Sequence, residues 1–204
     1  MSRLKVLLTV CLSLVLVCLL AIAPASAQSS PIASAPISYE RVLSTLQQSG
    51  VPLHLPTKLV YRNTLVGPNT FFAVGGVMTD PNTEQQGYRV QITNSQNCLS
   101  GSLSCIIAYA NAEPLRADQS DVESTYAWFR EPGALDRYTR VSPDPIGWVK
   151  LSNGQSVYFV PWVMGAGMGF AQAIWDEGGY RYTVGLKGGA REWLLPMVET
   201  AFGR

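Results

Sequence analysis

The stretch that decides the fold runs from Gly147 to Phe202: GWVKLSNGQSVYFVPWVMGAGMGFAQAIWDEGGYRYTVGLKGGAREWLLPMVETAF. Its pattern predicts two successive β-hairpins followed by a closing helix. After Gly179, apolar and polar residues alternate with the period of two that is typical of a half-buried strand. The apolar members of this strand are Tyr180, Tyr182, Val184 and Leu186. One face of the predicted sheet is therefore core, and the other meets water.

Turn residues mark both hairpins. Asp176-Glu177-Gly178-Gly179 joins the alternating strand to a partner strand at Phe170 to Trp175, because glycine readily adopts the positive φ that a tight turn needs. Asn153-Gly154 is the strongest short-range hairpin signal, and it separates two more strand-like runs. Pro161 ends the second of these runs, since proline donates no hydrogen bond to a sheet.

A helix is predicted at the C-terminal end. Apolar residues follow helical spacing after Gly188-Gly189, and the helix is expected to lie on the sheet. These residues are Trp193, Leu194, Met197, Val198 and Ala201. Pro196 falls inside the run and predicts a kink or a late start, because a proline within a helix removes a hydrogen bond.

Residues 1–27 predict a secretory signal peptide. Arg3 and Lys5 precede the apolar run Val6 to Ala23, and Ala25-Ser26-Ala27 has the small-residue pattern of a cleavage site. Cleavage after Ala27 makes the protein secreted or periplasmic. The run is long for a signal peptide, so the alternative is an uncleaved leader that anchors the protein in the membrane.

Charge and composition exclude nucleic acid as a partner. The chain has 204 residues with 15 basic and 14 acidic side chains, and removal of Arg3 and Lys5 leaves 13 basic against 14 acidic. Basic residues do not cluster, so a polybasic membrane-binding patch is also absent, and the membrane is a partner only through an uncleaved leader. Residues 28–37 predict a flexible spacer, and residues 38–204 a single domain.

The N-terminal half carries weaker signals. Ser38 can cap a short helix from Tyr39 to Gln48, and an extended proline-bounded segment follows from Val51 to Pro56. Phe71 to Met78 reads as a strand broken at Gly75-Gly76. Gly87 to Thr93 is a clear strand whose return is expected at Cys105 to Ala110, and a capping box at Ser120 to Glu123 opens a helix that ends near Glu131. The fold class that results is α+β, an antiparallel sheet meander with N-terminal and C-terminal helices packed on it.

Cys98 and Cys105 predict a disulfide. They enclose a short loop rich in glycine and serine, and an exported protein meets oxidising conditions. A loop this short stabilises by about 2 to 3 kcal/mol in the chain-entropy model. A redox pair or half of a metal site are the alternatives, but the chain has no Cys-x-x-Cys motif and a single histidine.

A family resemblance rests on several motifs together. They are Leu53-His54-Leu55-Pro56, the Tyr88 to Ile92 strand, the cysteine pair, Ala173-Ile174-Trp175 and the Gly179 to Lys187 strand. With the leader, they resemble uncharacterised bacterial exported proteins. The closing hairpin and helix are similar to a widespread extracytoplasmic domain of unknown function, itself similar in outline to lipoprotein-carrier and MucB-type sensor domains. The resemblance implies an antiparallel sheet backed by helices and brings no catalytic residues.

Catalytic signatures are weak, and we predict no catalytic residue, no metal site and no cofactor. His54 lies between prolines without a nucleophile elbow, which favours an ordinary packed or surface histidine. The glycine-rich run from Gly165 to Gly169 precedes a strand and lacks the lysine of a phosphate-binding loop. Asp176 and Glu177 are adjacent on a turn, where carboxylates are normally solvated.

Three functions remain as hypotheses. The first is a non-enzymatic exported domain that binds an apolar ligand, a lipid or an envelope protein, through the sheet face that the helices leave uncovered or through an apolar cleft beneath them. The second is a carbohydrate- or cell-wall-binding module, which requires Trp148, Tyr158 and Trp162 or neighbouring rings to be exposed in one plane. The third is a hydrolase of unfamiliar type, which requires His54 to approach a serine or a carboxylate across a pocket.

Overall fold

A nine-stranded sheet forms the centre of the described part of the protein. It is seen in a computed structural model that describes residues 32–62, 70–81, 84–98, 105–165 and 169–203. The predicted signal peptide and most of the glycine-rich run from 165 to 169 lie outside these residues. Residues 31–204 form one compact unit.

The strands are β1 (Ile32–Ser38), β2 (Lys58–Arg62), β3 (Phe71–Thr79), β4 (Gln86–Thr93), β5 (Ile106–Pro114), β6 (Arg140–Val141), β7 (Gly147–Lys150), β8 (Ser156–Val160), β9 (Val163–Met164), β10 (Phe170–Glu177) and β11 (Tyr180–Lys187). The α-helices of the described residues are α1 (Leu43–Gln48), α2 (Val122–Thr125) and α3 (Arg191–Glu199), and short 3-10 helices follow at Ala127–Arg130 and Thr200–Phe202. The strand order is β2-β1-β3-β4-β5-β11-β10-β8-β7, and β6 and β9 pair separately.

The α+β class predicted from the sequence is confirmed. Two antiparallel runs, β3-β4-β5 and β7-β8-β10-β11, meet where β5 pairs with β11 along seven registered positions from Tyr180↔Pro114 to Leu186↔Ala108. The sheet is mixed and not a pure meander, because β1 lies parallel to β3. The closing strand thus occupies the middle of the sheet, where it joins the two halves of the chain.

The N-terminal segment differs from its prediction. The strand β1 occupies most of the expected flexible spacer, because its backbone pairs with β2 from Ile32↔Arg62 to Pro36↔Lys58. Sequence periodicity does not reveal this pairing, because β1 consists mainly of small residues without a clear alternation and its partner strand is distant in the chain. The helix after it is also shorter than expected and starts at Leu43, without a side-chain cap from Ser38.

The predicted hairpins are confirmed. Gly178 and Gly179 form the two-residue turn between β10 and β11 with φ of 59° and 84°, the signs that a type I′ turn requires. Gly154 has a φ of 89° in the turn between β7 and β8. Cys98 and Cys105 are disulfide-bonded with Cα atoms 6.1 Å apart, as predicted, across the connection between β4 and β5.

Two interruptions expected from the sequence are absent. The strand β3 continues through Gly75-Gly76, and a Cβ at Gly75 would collide with the carbonyl of Arg89, so this glycine permits close approach of the neighbouring strand. The helix α3 begins at Arg191, five residues before Pro196, so the late start is not seen. Packing of Leu194, Met197 and Val198, all fully buried, offsets the hydrogen bond that this proline lacks.

The main core lies between the sheet and the helices α1 and α3. We call this side of the sheet the helix face. In the middle of β5 the residues on the helix face are the alanines Ala108, Ala110 and Ala112, and the larger side chains of neighbouring strands and helices fill the space above them. The fully buried residues of the main core include Leu46, Tyr88, Val90, Ile92, Ala108, Ala110, Ala112, Ala173, Leu194 and Met197.

Tyrosine hydroxyls hold the proline-bounded segment Val51–Pro56 against this core. The Tyr182 hydroxyl donates to the carbonyl of Pro52 at 3.2 Å, and the Tyr39 hydroxyl donates to the carbonyl of Pro56 at 2.7 Å. Between them, the Tyr88 hydroxyl accepts from the amide of His54 at 3.1 Å and donates to its carbonyl at 3.2 Å. Every second residue of the segment is thus bonded to a different element, and we call these three side chains the tyrosine ladder.

The ladder predicts a large cost for removing one hydroxyl. We expect Tyr88→Phe to lower the free energy of unfolding by about 1 to 3 kcal/mol, because it leaves a buried amide and carbonyl of His54 unpaired. Urea unfolding monitored by tryptophan fluorescence measures this change. Tyr61→Phe is the control, since the Tyr61 hydroxyl has no hydrogen-bond partner in the described part of the chain. Equal effects of the two variants would contradict this role of the ladder.

The ladder also predicts alkaline destabilisation. Burial raises the pKa of the Tyr182 hydroxyl to about 12 and raises the pKa values of Tyr39 and Tyr88 as well. Unfolded tyrosine ionises near pH 10, so the folded state holds these protons more tightly, and the stabilisation is complete below about pH 10. We expect the free energy of unfolding to fall as the pH rises from 10 to 12. Urea midpoints at pH 8, 10 and 11.5 test this, and the fall should be smaller in Tyr182→Phe than in the wild type.

Candidate functional site

The face of the sheet opposite the helix face is only partly covered. A second core cluster of Val122, Phe129, Tyr158, Val160 and Ile174 covers it at β8 and β10, where α2 and the 3-10 helix after it pack. Over β4, β5 and β11, none of the described helices packs on this side. We call this uncovered part of the sheet the open face.

A cavity of about 180 Å³ lies on the open face, and we call it the basin. It is lined by Arg89 and Gln91 of β4, by Ile106, Tyr109 and Asn111 of β5, and by Phe170 of β10. Register explains the grouping, since Arg89 lies opposite Asn111 and Gln91 lies opposite Tyr109. Cross-strand neighbours on one face project side by side, so the four polar or aromatic side chains form one surface.

A glycine positions the aromatic wall of the basin. Tyr109 lies opposite Gly185 of β11, and its ring lies where a Cβ on that residue would be. The ring therefore lies close against the backbone of β11. Phe170 packs edge-on against Tyr109 with the ring centroids 5.2 Å apart. The wall is held by packing and does not depend on a flexible loop.

A hydrogen-bond network continues from this wall. The Tyr126 hydroxyl donates to Oε1 of Gln172 at 2.8 Å. Burial, followed by the proximity of Tyr126, raises the pKa of the Tyr109 hydroxyl, and a hydrogen bond with Gln172 acts in the opposite direction. Tyr109 is therefore neutral at physiological pH, and its hydroxyl can both donate and accept a hydrogen bond.

Asn111 is the unusual residue of the basin. Its side-chain oxygen is buried and has no hydrogen-bond partner in the structure. Buried polar atoms are nearly always paired, and an unpaired one costs about 1 to 3 kcal/mol. The terminal torsion of asparagine is soft, so the carboxamide can rotate to meet a donor that enters the basin. An unpaired group of this kind beside a cavity points to a ligand.

A second cavity, of about 240 Å³, is lined by residues of β3, β4 and β5 and of the segment that follows β5. Its lining includes Met78, Thr79, Gly87, Glu113, Arg116 and Gln119. Arg89 of the basin and Glu113 of the second cavity form an ion pair at 3.3 Å, and both side chains are half-exposed. This ion pair thus joins one residue from the lining of each cavity.

His54 lies away from these cavities, on the helix face, in the middle of the segment that the tyrosine ladder holds. Its Nε2 is 3.2 Å from the carboxylate of Glu177, and its Nδ1 is 3.3 Å from the carbonyl of Ala201. The ring is largely buried against Tyr182, Trp175 and Phe202. A carboxylate is therefore close to His54, as the hydrolase hypothesis requires, but both ring nitrogens are occupied and the ring lines neither of the two open-face cavities.

The other residues considered from the sequence are dispersed. Asp176 forms a two-pronged ion pair with Arg181, at 2.8 and 2.9 Å. Tyr158 is buried, Trp162 is partly buried, and Trp148 is 54% exposed, so these three rings do not form one exposed plane. Among the described residues, no group of three potential metal-ligating side chains converges.

The basin is not evident from the sequence alone. The alternation places Arg89 and Gln91 correctly on the polar side of a strand, but it predicts a return strand that ends at Ala110, one residue before Asn111, whereas β5 continues to Pro114. The signal is the alternation Ala108-Tyr109-Ala110-Asn111-Ala112, in which small residues face the helices and polar ones face the basin. Alanine is a weak strand former, which masks this alternation.

The position of Tyr109 yields a test of the wall. We expect Gly185→Ala to destabilise the protein by about 1 to 3 kcal/mol, because the added methyl group collides with the Tyr109 ring. Gly76→Ala is the control, since a Cβ there meets no atom within 4 Å. Urea unfolding measures both variants, and the cost of Gly185→Ala should shrink when Tyr109→Ala is also present. Equal costs with and without the tyrosine ring would exclude this contact as the cause.

Comparison with known proteins supplies no analogy for the basin. None of the helices in the described residues is long and apolar enough to cross a membrane. The resemblance to exported bacterial proteins stays a prediction. No protein-family model, no curated protein and no solved structure matches this chain.

Proposed function

We propose that the protein is a non-enzymatic, exported binding domain whose ligand site is the basin on the open face. The observation that carries this proposal is the buried and unpaired oxygen of Asn111 beside an aromatic wall. Binding sites combine apolar walls with a few polar groups that orient the ligand, and the basin has both. Export is the part of the proposal that rests on residues 1–27.

The helix face offers less support for a ligand site. Leu194 and Met197 of α3 have no exposed surface, so the space beneath this helix is occupied by side chains. A cavity of about 430 Å³ lies beside α3, but none of the residues that line it has a buried, unpaired side-chain atom. Side-chain packing therefore favours the uncovered sheet face over the cleft beneath the helices as the ligand site.

The chemistry of the basin favours a hydroxyl-bearing ring over an acyl chain. Asn111 and Gln91 carry carboxamides, which donate and accept hydrogen bonds, as hydroxyl groups do. The rings of Tyr109 and Phe170 provide an apolar surface for the C–H face of a sugar. The cavity of about 180 Å³ is smaller than the roughly 300 Å³ at which sites for drug-sized ligands begin, so it suits one ring of a larger molecule.

Titration of the full-length chain by NMR tests the site. Methyl glucoside is the sugar probe, and dihexanoyl phosphatidylcholine below its micelle concentration is the lipid probe. We expect the sugar to shift the backbone resonances of Gln91, Tyr109, Asn111 and Phe170. If the lipid probe shifts the resonances of the same residues and the sugar does not, the basin remains the proposed site and the ligand is a lipid. Shifts confined to the helix face, or none with either probe, would contradict the proposal.

Asn111→Leu separates binding from folding. We expect this variant to be about 1 kcal/mol more stable than the wild type, because it removes an unpaired buried oxygen. We also expect sugar binding to weaken at least about tenfold, because each hydrogen bond lost to the ligand leaves a polar group unpaired. Asn94→Leu is the matched control, since Asn94 is exposed just beyond β4. An Asn111→Leu variant that binds like the wild type would exclude this residue from the site.

A further inference from the structure

The basin contains a hydrogen-bond acceptor that no described residue satisfies. Among the described residues, two buried side-chain atoms lack a partner, Oδ1 of Asn111 and Nε1 of Trp175. Trp175 lines none of the three cavities, whereas Asn111 lines the basin. A ligand that carries only acceptors can pair with the amino group of this carboxamide, but it leaves the oxygen unpaired. The ligand of the basin therefore has to bring a donor.

The side chains around Asn111 limit the kind of donor. Tyr109 precedes it by two positions on β5 and lies on the same side of the strand, and Phe170 packs on the Tyr109 ring at 5.2 Å. These rings offer a mostly apolar surface, against which a lone pair of the ligand would be buried without a partner. The donor that meets Asn111 is therefore best satisfied when its own atom has no lone pair left to hydrogen-bond.

An amide N–H meets this requirement, whereas a hydroxyl or an ammonium group does not. An amide nitrogen donates its proton and accepts nothing, but a hydroxyl oxygen brings two acceptor lone pairs with its proton. An ammonium group would place a positive charge beside Arg89, whose guanidinium already pairs with Glu113 at 3.3 Å. Arg89 has further N–H groups and no acceptor, so it can donate to a neutral carbonyl without leaving Glu113.

From these requirements we propose that the basin recognises a sugar ring that carries an N-acetyl group. The amide N–H donates to Oδ1 of Asn111, and the acetyl carbonyl accepts from Arg89. The N–H and C=O of a trans amide point in opposite directions, and Arg89 lies opposite Asn111 on the neighbouring strand. The methyl group and the C–H face of the ring pack on Tyr109 and Phe170. This inference rests on the proposed function, because it takes the basin as the site of the sugar ring.

A matched pair of ligands isolates the N–H group. The methyl glycosides of N-acetylglucosamine and of 2-O-acetylglucose differ only in the link between acetyl group and ring, which is NH in the amide and oxygen in the ester. We expect the full-length protein to bind the amide at least about tenfold more tightly than the ester, because the ester offers Asn111 no proton. Methyl glucoside should also bind less tightly than the amide. NMR titration that follows the backbone resonances of Tyr109, Asn111 and Phe170 measures all three affinities.

Two variants with matched controls locate the preference. Asn111→Leu should bind amide and ester with affinities within about twofold of each other, because leucine has no acceptor, whereas the exposed Asn94→Leu should keep the tenfold preference. Arg89→Met should weaken both acetylated ligands at least about threefold, because both carry the carbonyl. Arg116→Met, which changes an arginine that lines the second cavity, should leave both affinities unchanged.

The outcomes separate this inference from the proposed function. Binding of methyl glucoside in the basin without a preference for the amide overturns the N-acetyl specificity and keeps the sugar site. A preference that persists in Asn111→Leu overturns the inference, since another group then receives the proton. Unchanged binding in Arg89→Met overturns the assignment of the carbonyl. Absence of shifts in the basin with all three ligands overturns both the inference and the sugar class of the proposed site.

Discussion

The structure depends on how the segment Val51–Pro56 satisfies its backbone. Two prolines in this segment have no amide hydrogen to donate, so it cannot pair along both edges as a strand in the sheet. Its carbonyl groups are nevertheless placed against a buried core, where an unpaired group is costly. The tyrosine ladder supplies partners from β4, from β11 and from the turn before α1. Three distant parts of the chain are joined through one short segment.

The same segment organises the end of the molecule. His54 extends from it between the turn of the β10–β11 hairpin and the C-terminal 3-10 helix, and its two ring nitrogens contact Glu177 and Ala201. Thr57 donates its amide to the hydroxyl of Thr200 at 2.9 Å. The only histidine in the chain thus connects the β10–β11 turn to the C-terminal 3-10 helix.

The open face follows from this arrangement. Because α1, α3 and the proline-bounded segment all pack on the helix face, the opposite side of β4, β5 and β11 remains without a helix among the described residues. Gly185 lets the ring of Tyr109 lie against the sheet, and Asn111 keeps an unpaired oxygen beside it. The protein thereby retains an arrangement that weakens its folded state, and such sites commonly serve binding.

By itself the sequence determined the local features of this protein: the α+β class, the two hairpins, the C-terminal helix and the cysteine pair. Each depends on residues close together in the chain, such as Asn153-Gly154 at a turn or the alternation after Gly179. Only the tertiary structure decided that β1 forms a strand, that β11 lies beside β5 and that Arg89, Tyr109 and Asn111 share a basin. These features depend on register between distant strands, and period-two alternation specifies which side a residue faces without specifying which residue lies beside it. The tyrosine ladder cannot be predicted from the sequence for the same reason, because nothing in the sequence indicates which carbonyl group a tyrosine hydroxyl will bond.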